Sequence, residues 1–387
     1  MLFSIILFMF CLSSIFFHGL AIFAARRFFS KKNGSQSINY PPITLLKPVA
    51  GLDEHAYRNF ASFCEQSYPE YQIIFGVTDS NDLAIPVIQQ IIADYPHLDI
   101  QLLISPKNSA LNPKVGNLMA MQPYIKHSLI IISDSDISVD KTYLSQMVTP
   151  MLNDPNIGAV TCLYRSSGRG LFNILESIET ATDYVPGILT GDLLTGPKWT
   201  LGCSVLLSTT ALEAIGGFQA IQHHIGEDCL LGKLLVNHGY PIALAQCIIH
   251  HGLQPSRFLD YVRRKNRWNK GILTYYKAAY WGCIFMFAPI LSVLFLKMVT
   301  GSLMLQLAIV CSWVTRLAMG WIVGVRYLND PVTKRFFVLL PFYDGLNVLL
   351  WCYSFMSKKI YWRKTYFNVN KEGILAPVRN ATDGFSV

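Results

Sequence analysis

The sequence has 387 residues, of which 52% are hydrophobic and only 14% are charged, and its mean hydropathy is +0.34. Because a soluble domain carries about 25% charged residues, this composition excludes an ordinary soluble protein and indicates membrane segments. The net charge of +8 lies largely in clusters beside apolar stretches, and no interleaving of arginine with aromatic residues suggests nucleic-acid binding. The nine cysteines are scattered and contain no Cys-x-x-Cys pair, which favours a reducing compartment over a disulfide framework or a zinc site.

An apolar stretch from Leu2 to Ala25 opens the chain and is long enough to span a bilayer. A signal peptide would carry its positive charges before the apolar core, whereas here they come after it. The basic residues that follow are Arg26, Arg27, Lys31 and Lys32. The positive-inside rule therefore predicts a retained transmembrane anchor, residues 1–25, with the N-terminus outside and a basic linker, residues 26–42, in the cytoplasm.

Residues 43–275 alternate between short apolar runs and segments with helical patterning. The predicted strands are Ile43 to Leu46 (ended by Lys47-Pro48), Tyr71 to Val77, Ile100 to Ile104, Leu129 to Ile132, Ile157 to Tyr164, Thr200 to Ser208 and Ile242 to His250. Such alternation implies an α/β domain of Rossmann-like architecture, with a mostly parallel sheet covered by helices on both faces. Open sheets of this kind bind their ligands at the carboxyl ends of the strands.

The most informative stretch is Ser133-Asp134-Ser135-Asp136, which follows the apolar run Leu129–Ile132. A buried parallel strand here would deliver both carboxylates to the carboxyl edge of the sheet. Hard oxygen ligands in this arrangement suit Mg²⁺ or Mn²⁺, which usually share their coordination with substrate phosphates. The alternative is a solvated turn, because Asp and Ser favour turns.

Further charged residues lie at the predicted ends of strands and helices. Asp79 follows the second strand, and Glu227-Asp228 follows Gly226 at the start of a helix. Simple capping would also explain Glu227 and Asp228, because the helix dipole stabilises carboxylates in a first turn. A basic helix, Phe258 to Lys270, carries Arg264-Lys265-Asn266-Arg267-Trp268, and contact with anionic lipid headgroups is its alternative explanation.

Four histidines stand in two adjacent pairs: His223, His224, His250 and His251. Without Cys or Glu residues at supporting spacings, they are interpreted as interfacial or loop residues and not as metal ligands.

The membrane pattern returns in residues 276–357, where two or three spans are predicted. The candidates are Ala278–Leu296 with a kink at Pro289, Val299–Val325 broken by Arg316, and Phe336–Met356 carrying Asp344. An ionisable group at that depth usually faces protein or water and not lipid. The topology of the last candidate stays open: it is either a span or a re-entrant or interfacial segment. The reason is that a basic tail, residues 358–387, follows it and starts with Lys358, Lys359, Arg363 and Lys364.

These residues occur in the order Asp79, Asp134 with Asp136, Asp228 and then the Arg-x-x-Arg-Trp segment. In this order the chain resembles the membrane-bound family 2-type glycosyltransferases. More narrowly, the chain resembles the ceramide glucosyltransferases of family 21 and their bacterial relatives, including the hopanoid-associated glycosyltransferase that acts on bacteriohopanetetrol. The stretches that carry the narrower resemblance are Leu45–Gly51, Asn112–Leu118, Val160–Tyr164 and Ile215–Phe218. Four weak motifs in the right order between membrane segments are together a strong signal, and they cover about residues 41–275.

The resemblance implies a GT-A-like fold and sugar transfer from a UDP-sugar with inversion. Asp228 matches the family's catalytic base, which takes the proton of an acceptor hydroxyl. Asp79 takes the contact with uridine, and Asp134 with Asp136 would hold a divalent cation, Mg²⁺ or Mn²⁺, against the diphosphate. Many ceramide-type members have Gly at the position of Asp136.

The remaining implied contacts also concern the donor and the acceptor. Arg264 and Arg267, three residues apart on one helix face, would bind the diphosphate, and Trp268 would pack against the sugar or the acceptor. Glu227 joins the nucleotide-sugar site, and Lys114 would pair with phosphate unless it is an exposed first-turn lysine.

The sequence thus predicts an enzyme that moves a single hexose or N-acetylhexosamine (glucose or GlcNAc) to the hydroxyl of a membrane lipid. Ceramide and a hopanoid polyol are the two expected acceptors. The expected location is the bacterial inner membrane, with the catalytic domain, residues 43–275, in the cytoplasm. A processive polysaccharide synthase and a non-catalytic membrane scaffold are the alternatives; the first would need a channel, and the second would not need the acidic residues.

Overall fold

The computed structural model describes residues 2–31, 39–106, 108–293, 302–362 and 365–378. Several predicted features lie outside these ranges: Lys32 and most of the linker, the end of the span Ala278–Leu296, the start of the span Val299–Val325, Arg363, Lys364 and residues 379–387 of the basic tail.

Eleven strands occur in the described residues: β1 (Ile43–Val49), β2 (Tyr71–Val77), β3 (Asp99–Ile104), β4 (Leu129–Ser133), β5 (Ile137–Ser138), β6 (Ala159–Ser167), β7 (Ser204–Ser208), β8 (Ile242–Gly252), β9 (Lys359–Trp362), β10 (Thr365–Val369) and β11 (Leu375–Pro377). The α-helices are α1 (Leu2–Phe29), α2 (Ala56–Cys64), α3 (Ile85–Asp94), α4 (Pro113–Met121), α5 (Tyr143–Asn153), α6 (Leu171–Glu179), α7 (Val185–Thr195), α8 (Thr209–Ala214), α9 (Glu227–Asn237), α10 (Phe258–Tyr275), α11 (Lys277–Gly282), α12 (Ala288–Val293), α13 (Leu303–Met319), α14 (Pro331–Phe336) and α15 (Leu340–Met356). Wider π-helical turns follow two of them, at Thr180–Tyr184 and Gly320–Tyr327.

The large sheet has the strand order β3-β2-β1-β4-β7-β6-β8-β5. Strands β3, β2, β1 and β4 are parallel, and β6 is parallel to β8, whereas β7 runs antiparallel to both of its neighbours. Helices pack on both faces: α2 and α5 contribute to one buried cluster, and α4 and α8 to the other. The predicted α/β architecture with a mostly parallel sheet is confirmed.

The sequence predicted that the first strand ends at Lys47-Pro48, but strand β1 continues to Val49. Its pairing with β4 stops at Leu46, so from Lys47 onward only β2 pairs with it. Pro48 has no N–H to donate, and it lies where one ladder has already ended, which is the setting in which a strand tolerates proline.

Among the described residues, three helical segments are long and apolar enough to cross a membrane: Ser4–Phe29, Leu303–Tyr327 and Pro331–Met356. The first two lie side by side and run in the same direction. His18 Nδ1 lies 3.0 Å from the Thr315 hydroxyl, and the rings of Phe29 and Tyr327 stack with centroids 5.4 Å apart. Both helices therefore end at the sheet domain.

The span predicted from Ala278 to Leu296, with a kink at Pro289, is interrupted in its described part. Helices α11 and α12 are separated by a 3-10 turn, Cys283–Phe287, and the run Lys277–Val293 bends by 119° from α10. Pro289 is the second residue of α12 and lacks the N–H that would continue the preceding turn. The proline therefore begins a new helix instead of kinking a continuous one.

Arg316 does not break its helix, because the residue is paired and almost fully buried at 1% exposure. Its Nη2 donates to Asp344 Oδ1 of α15 and to Asp183 Oδ1 of the first π turn, both at 2.6 Å. Asp344 therefore faces protein and not lipid, as expected for a carboxylate in an apolar helix.

The helical run Pro331–Met356 has both ends on the sheet domain. Just before it, Asn329 O accepts from Arg165 Nη1 of β6 at 2.9 Å. Just after it, the Ser357 hydroxyl accepts from Asn266 Nδ2 of α10 at 3.0 Å. These contacts at both ends predict that the segment lies along the membrane surface, with its exposed apolar face toward lipid. The large exposed side chains of this face are Val338, Phe342, Leu349 and Met356.

This arrangement predicts that both ends of the run share one side of the membrane with the sheet domain. Single cysteines at the exposed positions Lys334 and Lys358 should react with a membrane-impermeant maleimide from the same side as a cysteine at His97 in the sheet domain. Vesicles of uniform orientation provide the measurement, in a background that lacks the exposed Cys311 and Cys352. Labelling of Lys334→Cys and Lys358→Cys from opposite sides would mean that the helix crosses the bilayer.

Strands β9, β10 and β11 form a small antiparallel sheet, here called the C-terminal sheet, within the region predicted as a basic tail. Ile360, Phe367 and Leu375 from this sheet share a buried cluster with Tyr275 of α10. Burial of these apolar side chains fixes the sheet against the helix that carries the Arg-x-x-Arg-Trp segment. The limits of the domains stay a prediction.

Candidate active site

Lys114 connects the two acidic regions that the sequence singles out. Its Nζ lies 2.6 Å from Asp134 Oδ1 and 3.2 Å from Glu227 Oε1, and it donates to the carbonyl of Gly202 at 3.0 Å. The helix that carries it, α4, begins at Asn112, whose side chain accepts from the backbone N–H groups of Lys114 and Val115. Burial disfavours the charged ammonium, but the neighbouring carboxylates raise the pKa of Lys114 above its usual value. Lys114 is therefore a cation fixed between carboxylates and not an exposed first-turn lysine.

Asp228 is held by two backbone amides at the start of α9. The N–H of Gly202 donates to Oδ2 at 2.9 Å, and the N–H of Cys229 donates to Oδ1 at 2.8 Å. Burial, reinforced by the nearby Glu227 charge, raises the pKa of Asp228 to about 6. A Cβ atom at Gly202 would come within 2.8 Å of Oδ2, so only glycine allows this close approach. The result is a fixed carboxylate with a pKa suited to a general base near neutral pH.

Glu227 differs from its neighbour in its environment. It accepts from Asn112 Nδ2 at 3.1 Å and pairs with Lys114. Burial opposes ionisation, but Lys114 and these hydrogen bonds keep the pKa of Glu227 below its usual value. Two adjacent carboxylates thus have pKa values that are pushed apart, a pattern that separates a structural anion from a proton acceptor.

Asp136 ends the acidic turn and faces His251 of β8. His251 Nε2 lies 3.3 Å from Asp136 Oδ2, and its Nδ1 lies 3.2 Å from the Ser166 hydroxyl. Burial lowers the pKa of His251, but the Asp136 carboxylate raises it by more, so the net shift is upward. The interpretation of His250 and His251 as loop or interfacial residues is therefore wrong: both lie on a strand, and His251 is only 8% exposed.

The residues of the acidic turn fit a divalent cation. Asp136 Oδ1 is buried and has no hydrogen-bond partner among the described residues, which leaves an anionic oxygen available for coordination. Asp134 offers a second carboxylate that is 32% exposed. Within the described part of the chain, no group of three His, Cys, Asp or Glu side chains could hold a metal by itself. Further oxygen ligands would have to come from a substrate phosphate or from water.

Lys47 is a residue of this site that sequence reasoning missed. It is fully buried on β1, and its Nζ donates to the carbonyl of Asp134 at 2.9 Å while lying 3.5 Å from the centroid of the Phe63 ring. Burial lowers the pKa of Lys47 to about 7, although Asp134 and Asp136 favour its charged form. The sequence feature that could have indicated this role is a lysine within an apolar strand. The hydrogen bond from Lys47 holds the backbone of the acidic turn.

The two arginines of the Arg-x-x-Arg-Trp segment have different surroundings. Arg264 is held by the buried carboxylate of Glu176 on α6, and its Nε lies 3.0 Å from Oε2. Arg267 makes no ion pair among the described residues and lies 5.0 Å from the centroid of the Trp362 ring of the C-terminal sheet. Burial lowers the pKa of Arg267, and the charges of Glu227 and Asp228 oppose this shift, so the arginine lies within electrostatic range of the acidic site.

Two predicted donor contacts lie farther from the ion network. Asp79 is exposed at the carboxyl end of β2, where its Oδ1 accepts from the N–H of Asn81 at 2.9 Å. Trp268 is half-buried, and Lys265 Nζ lies 5.2 Å from its ring centroid. The roles assigned to Asp79 and Trp268 stay predictions.

The C-terminal sheet also pairs with the chain that leads into α9. The N–H of Ile225 donates to the carbonyl of Gly373 at 2.9 Å, and the N–H of Leu375 donates to the carbonyl of His223 at 2.8 Å. Gly373 has a φ of +86°, a backbone conformation that favours glycine, and the Tyr275 hydroxyl occupies the place of a side chain. These bonds fix the segment directly before Glu227 and Asp228, a contact that no sequence motif indicated.

The arrangement is similar to that of known glycosyltransferases. Ceramide glucosyltransferase 1 of Caenorhabditis elegans is 28% identical over 234 residues, which cover 59% of this chain and 49% of that protein. Ceramide glucosyltransferase 3 of the same organism is 28% identical over 267 residues, or 68% of this chain and 57% of that protein. The chain thus spans about half the length of these curated relatives.

The fold comparison covers almost the whole chain. The mannosyltransferase PcManGT of Pyrobaculum calidifontis, solved with GDP-Man and Mn²⁺, superposes with a TM-score of 0.53 over 90% of this chain and 96% of that one, at 16% identity. The GT-A-like fold that the sequence predicted is therefore confirmed. The profile of glycosyl transferase family 21 matches residues 6–375, and the chain belongs to that family.

Proposed function

We propose that the protein is an inverting glycosyltransferase that moves one sugar from a UDP-sugar to the hydroxyl of a membrane lipid. The observation that carries this proposal is the network in which Lys114 joins Asp134 to Glu227, beside Asp228. In this proposal, the network would form a phosphate-binding edge next to a carboxylate with a raised pKa, the two functions that glycosyl transfer to a hydroxyl requires. The family relatives named ceramide glucosyltransferase support a lipid acceptor.

Asp228 would take the proton from the acceptor hydroxyl as that oxygen attacks the anomeric carbon. The bond from the anomeric carbon to the diphosphate breaks on the opposite face, so the configuration inverts and no second carboxylate is needed as a covalent nucleophile. The two backbone amides on Asp228 fix the direction of its free lone pairs. The proton acceptor is thereby oriented before the acceptor arrives.

A divalent cation, when bound, would stabilise the negative charge that develops on the departing diphosphate. Asp134 and Asp136 are the residues that would hold it, with Asp136 Oδ1 as the oxygen left without a partner in the described residues. Lys47 would keep the acidic turn in place through its bond to the Asp134 carbonyl.

The two arginines are expected to differ in their effects. Arg267→Gln should lower kcat/KM for the donor by about 10²-fold, the usual loss when one donor to a developing anion is removed. Arg264→Gln should cost less than about tenfold, because its guanidinium is already bound to Glu176. Steady-state kinetics with varied UDP-sugar provides the measurement. Equal losses in the two variants would show that Arg264 also binds the diphosphate.

The pH dependence should follow the ionisation of Asp228. Because the base must be charged and its pKa is raised to about 6, kcat/KM should be constant above pH 7 and fall about tenfold per pH unit below 6. The pH profile, measured between pH 4.5 and 8 at saturating cation, tests this. An acidic limb centred near 4, the value of an ordinary carboxyl, would contradict the assignment.

We propose a cytoplasmic sheet domain, because Arg26 and Arg27 lie in the last turn of α1 and both ends of Pro331–Met356 contact that domain. A bacterial inner membrane is the proposed location. Ceramide and a hopanoid polyol both present a hydroxyl at the membrane surface, and glucose and GlcNAc are the proposed sugars. Expression in a host that lacks these glycolipids, followed by mass spectrometry of its lipid extract, tests the function. A product with one added hexose or N-acetylhexosamine is expected, whereas a polymer would indicate a processive synthase.

A further inference from the structure

Two buried polar atoms lack partners on the membrane side of the site. Glu179 is the last residue of α6; Lys265 of α10 binds its Oε1, whereas its Oε2 is buried and accepts no hydrogen bond from the described residues. The hydroxyl of Tyr261, also on α10, is buried and equally without a partner there. The Glu179 carboxylate is the charge that acts most strongly on that hydroxyl. Buried polar groups are nearly always paired, so these two atoms indicate a place for a polar group from outside the chain.

Two tyrosines connect this place to the catalytic carboxylate. Tyr184 ends the π turn that follows Glu179, and the charge of Asp228 acts on its hydroxyl. The ring of Tyr184 lies 5.2 Å from that of Tyr164, whose hydroxyl is in turn within reach of the Glu179 charge. A π turn inserts an extra residue into a helix and occurs frequently at functional sites. Here Glu179 and Tyr184 lie at the two ends of the turn, and the Asp228 charge acts on the Tyr184 end.

The same turn is attached to the membrane helices. Asp183 accepts from Arg316 of α13 at 2.6 Å, from the Tyr343 hydroxyl at 2.7 Å and from Asn347 Nδ2 at 3.0 Å. All three donors come from helical segments that are long and apolar enough to cross a membrane. A lipid whose tails lie beside these helices and whose head reaches Asp228 would therefore pass the turn that holds Glu179.

We propose that Glu179 and Tyr261 bind a second O–H or N–H group on the head of the lipid acceptor, next to the hydroxyl that receives the sugar. This proposal rests on the proposed function. Glu179 Oε2 accepts the hydrogen bond, and the Tyr261 hydroxyl donates to or accepts from the same head. A lipid with a single hydroxyl would leave Oε2 unpaired, so the site selects amide- or polyol-headed lipids over diacylglycerol.

Binding and turnover of two probes test this inference separately, with the full-length protein in nanodiscs. The probes are fluorescent short-chain ceramide, which has an amide N–H and two hydroxyls, and fluorescent diacylglycerol, which has one hydroxyl. The wild type should bind ceramide at least tenfold more tightly, and Glu179→Gln and Tyr261→Phe should each reduce that preference at least threefold. In turnover with UDP-glucose, Glu179→Gln should raise KM for ceramide about tenfold and change KM for the donor less than twofold.

Glu176→Gln is the matched control, because Glu176 lies one turn earlier on α6 and also binds a basic residue of α10. Both of its oxygens are occupied by Arg264, so its replacement should leave the lipid preference as in the wild type. Equal binding of the two lipids by the wild type, or an unchanged preference in both Glu179→Gln and Tyr261→Phe, would overturn the inference. Preserved lipid preference without any sugar transfer would instead overturn the proposed function alone.

Discussion

Replacing Asp228 by asparagine is expected to abolish sugar transfer, with kcat reduced by about 10³-fold or more. The amide cannot take a proton from the acceptor hydroxyl, and a positioned base contributes roughly 10²- to 10⁴-fold to such reactions. The side chain keeps its shape, and the N–H of Gly202 can still donate to an amide oxygen. Binding of UDP should therefore stay within about threefold of the wild type. UDP release with a lipid extract and calorimetric titration with UDP provide the two measurements.

Asp260→Asn is the matched control for this variant. Asp260 is also a carboxylate in the first turn of a helix, but it is exposed and lies outside the ion network of the site. Its replacement should leave transfer within about twofold of the wild type. If Asp228→Asn turned over normally, the proton acceptor would have to be another residue.

The largest effect on stability is expected from Arg316→Met. This substitution leaves the carboxylates of Asp344 and Asp183 buried without their cation. Removal of one partner from a buried ion pair typically costs about 3–5 kcal/mol, and here two anions share the lost partner. The loss should appear as a lower midpoint of thermal unfolding in detergent, together with a low yield of folded protein.

Two further variants separate the charge effect from the loss of side-chain volume. Arg316→Met combined with Asp344→Asn should be more stable than Arg316→Met alone, because one of the unpaired charges is removed. Arg326→Met, in the π turn that continues the same helix, should change the midpoint little, because Arg326 forms no ion pair in the described part of the chain. A double variant less stable than the single one would show that Asp344 stabilises the fold without Arg316.

The sheet could be predicted from local patterns because its central strands are continuous apolar runs. Tyr71–Val77 was predicted with both of its ends, and Leu129–Ile132 differs from the observed strand by one residue. Lys47 was mistaken for a strand end because the groups that accommodate its ammonium, the Asp134 carbonyl and the Phe63 ring, lie far away in sequence. A buried charge is recognised only when its partners are known.

Hydropathy could identify the apolar helices but not their direction in the membrane. A helix that crosses lipid and one that lies along its surface can have the same composition. For Pro331–Met356, the prediction that it lies along the surface rests on the pair of bonds at its ends, to Arg165 and Asn266. Both bonds join residues that are far apart in the sequence.

The sequence pattern placed several acidic residues at one edge of the sheet, and the structure brings Asp134, Glu227 and Asp228 together around Lys114. The partner of Arg264 could not be predicted, because Glu176 lies 88 positions earlier in an unremarkable helix. Spacing within a helix shows which side chains share a face, but it does not show what faces them.

The backbone bonds that join Gly373 to Ile225 and Leu375 to His223 have a consequence for biosynthesis. Strands β9 to β11 are translated after the apolar helices, so a nascent chain is already inserted in lipid before the segment next to Asp228 receives its last partners. A ribosome-bound intermediate would therefore lack the two backbone bonds that fix the segment directly before Glu227 and Asp228.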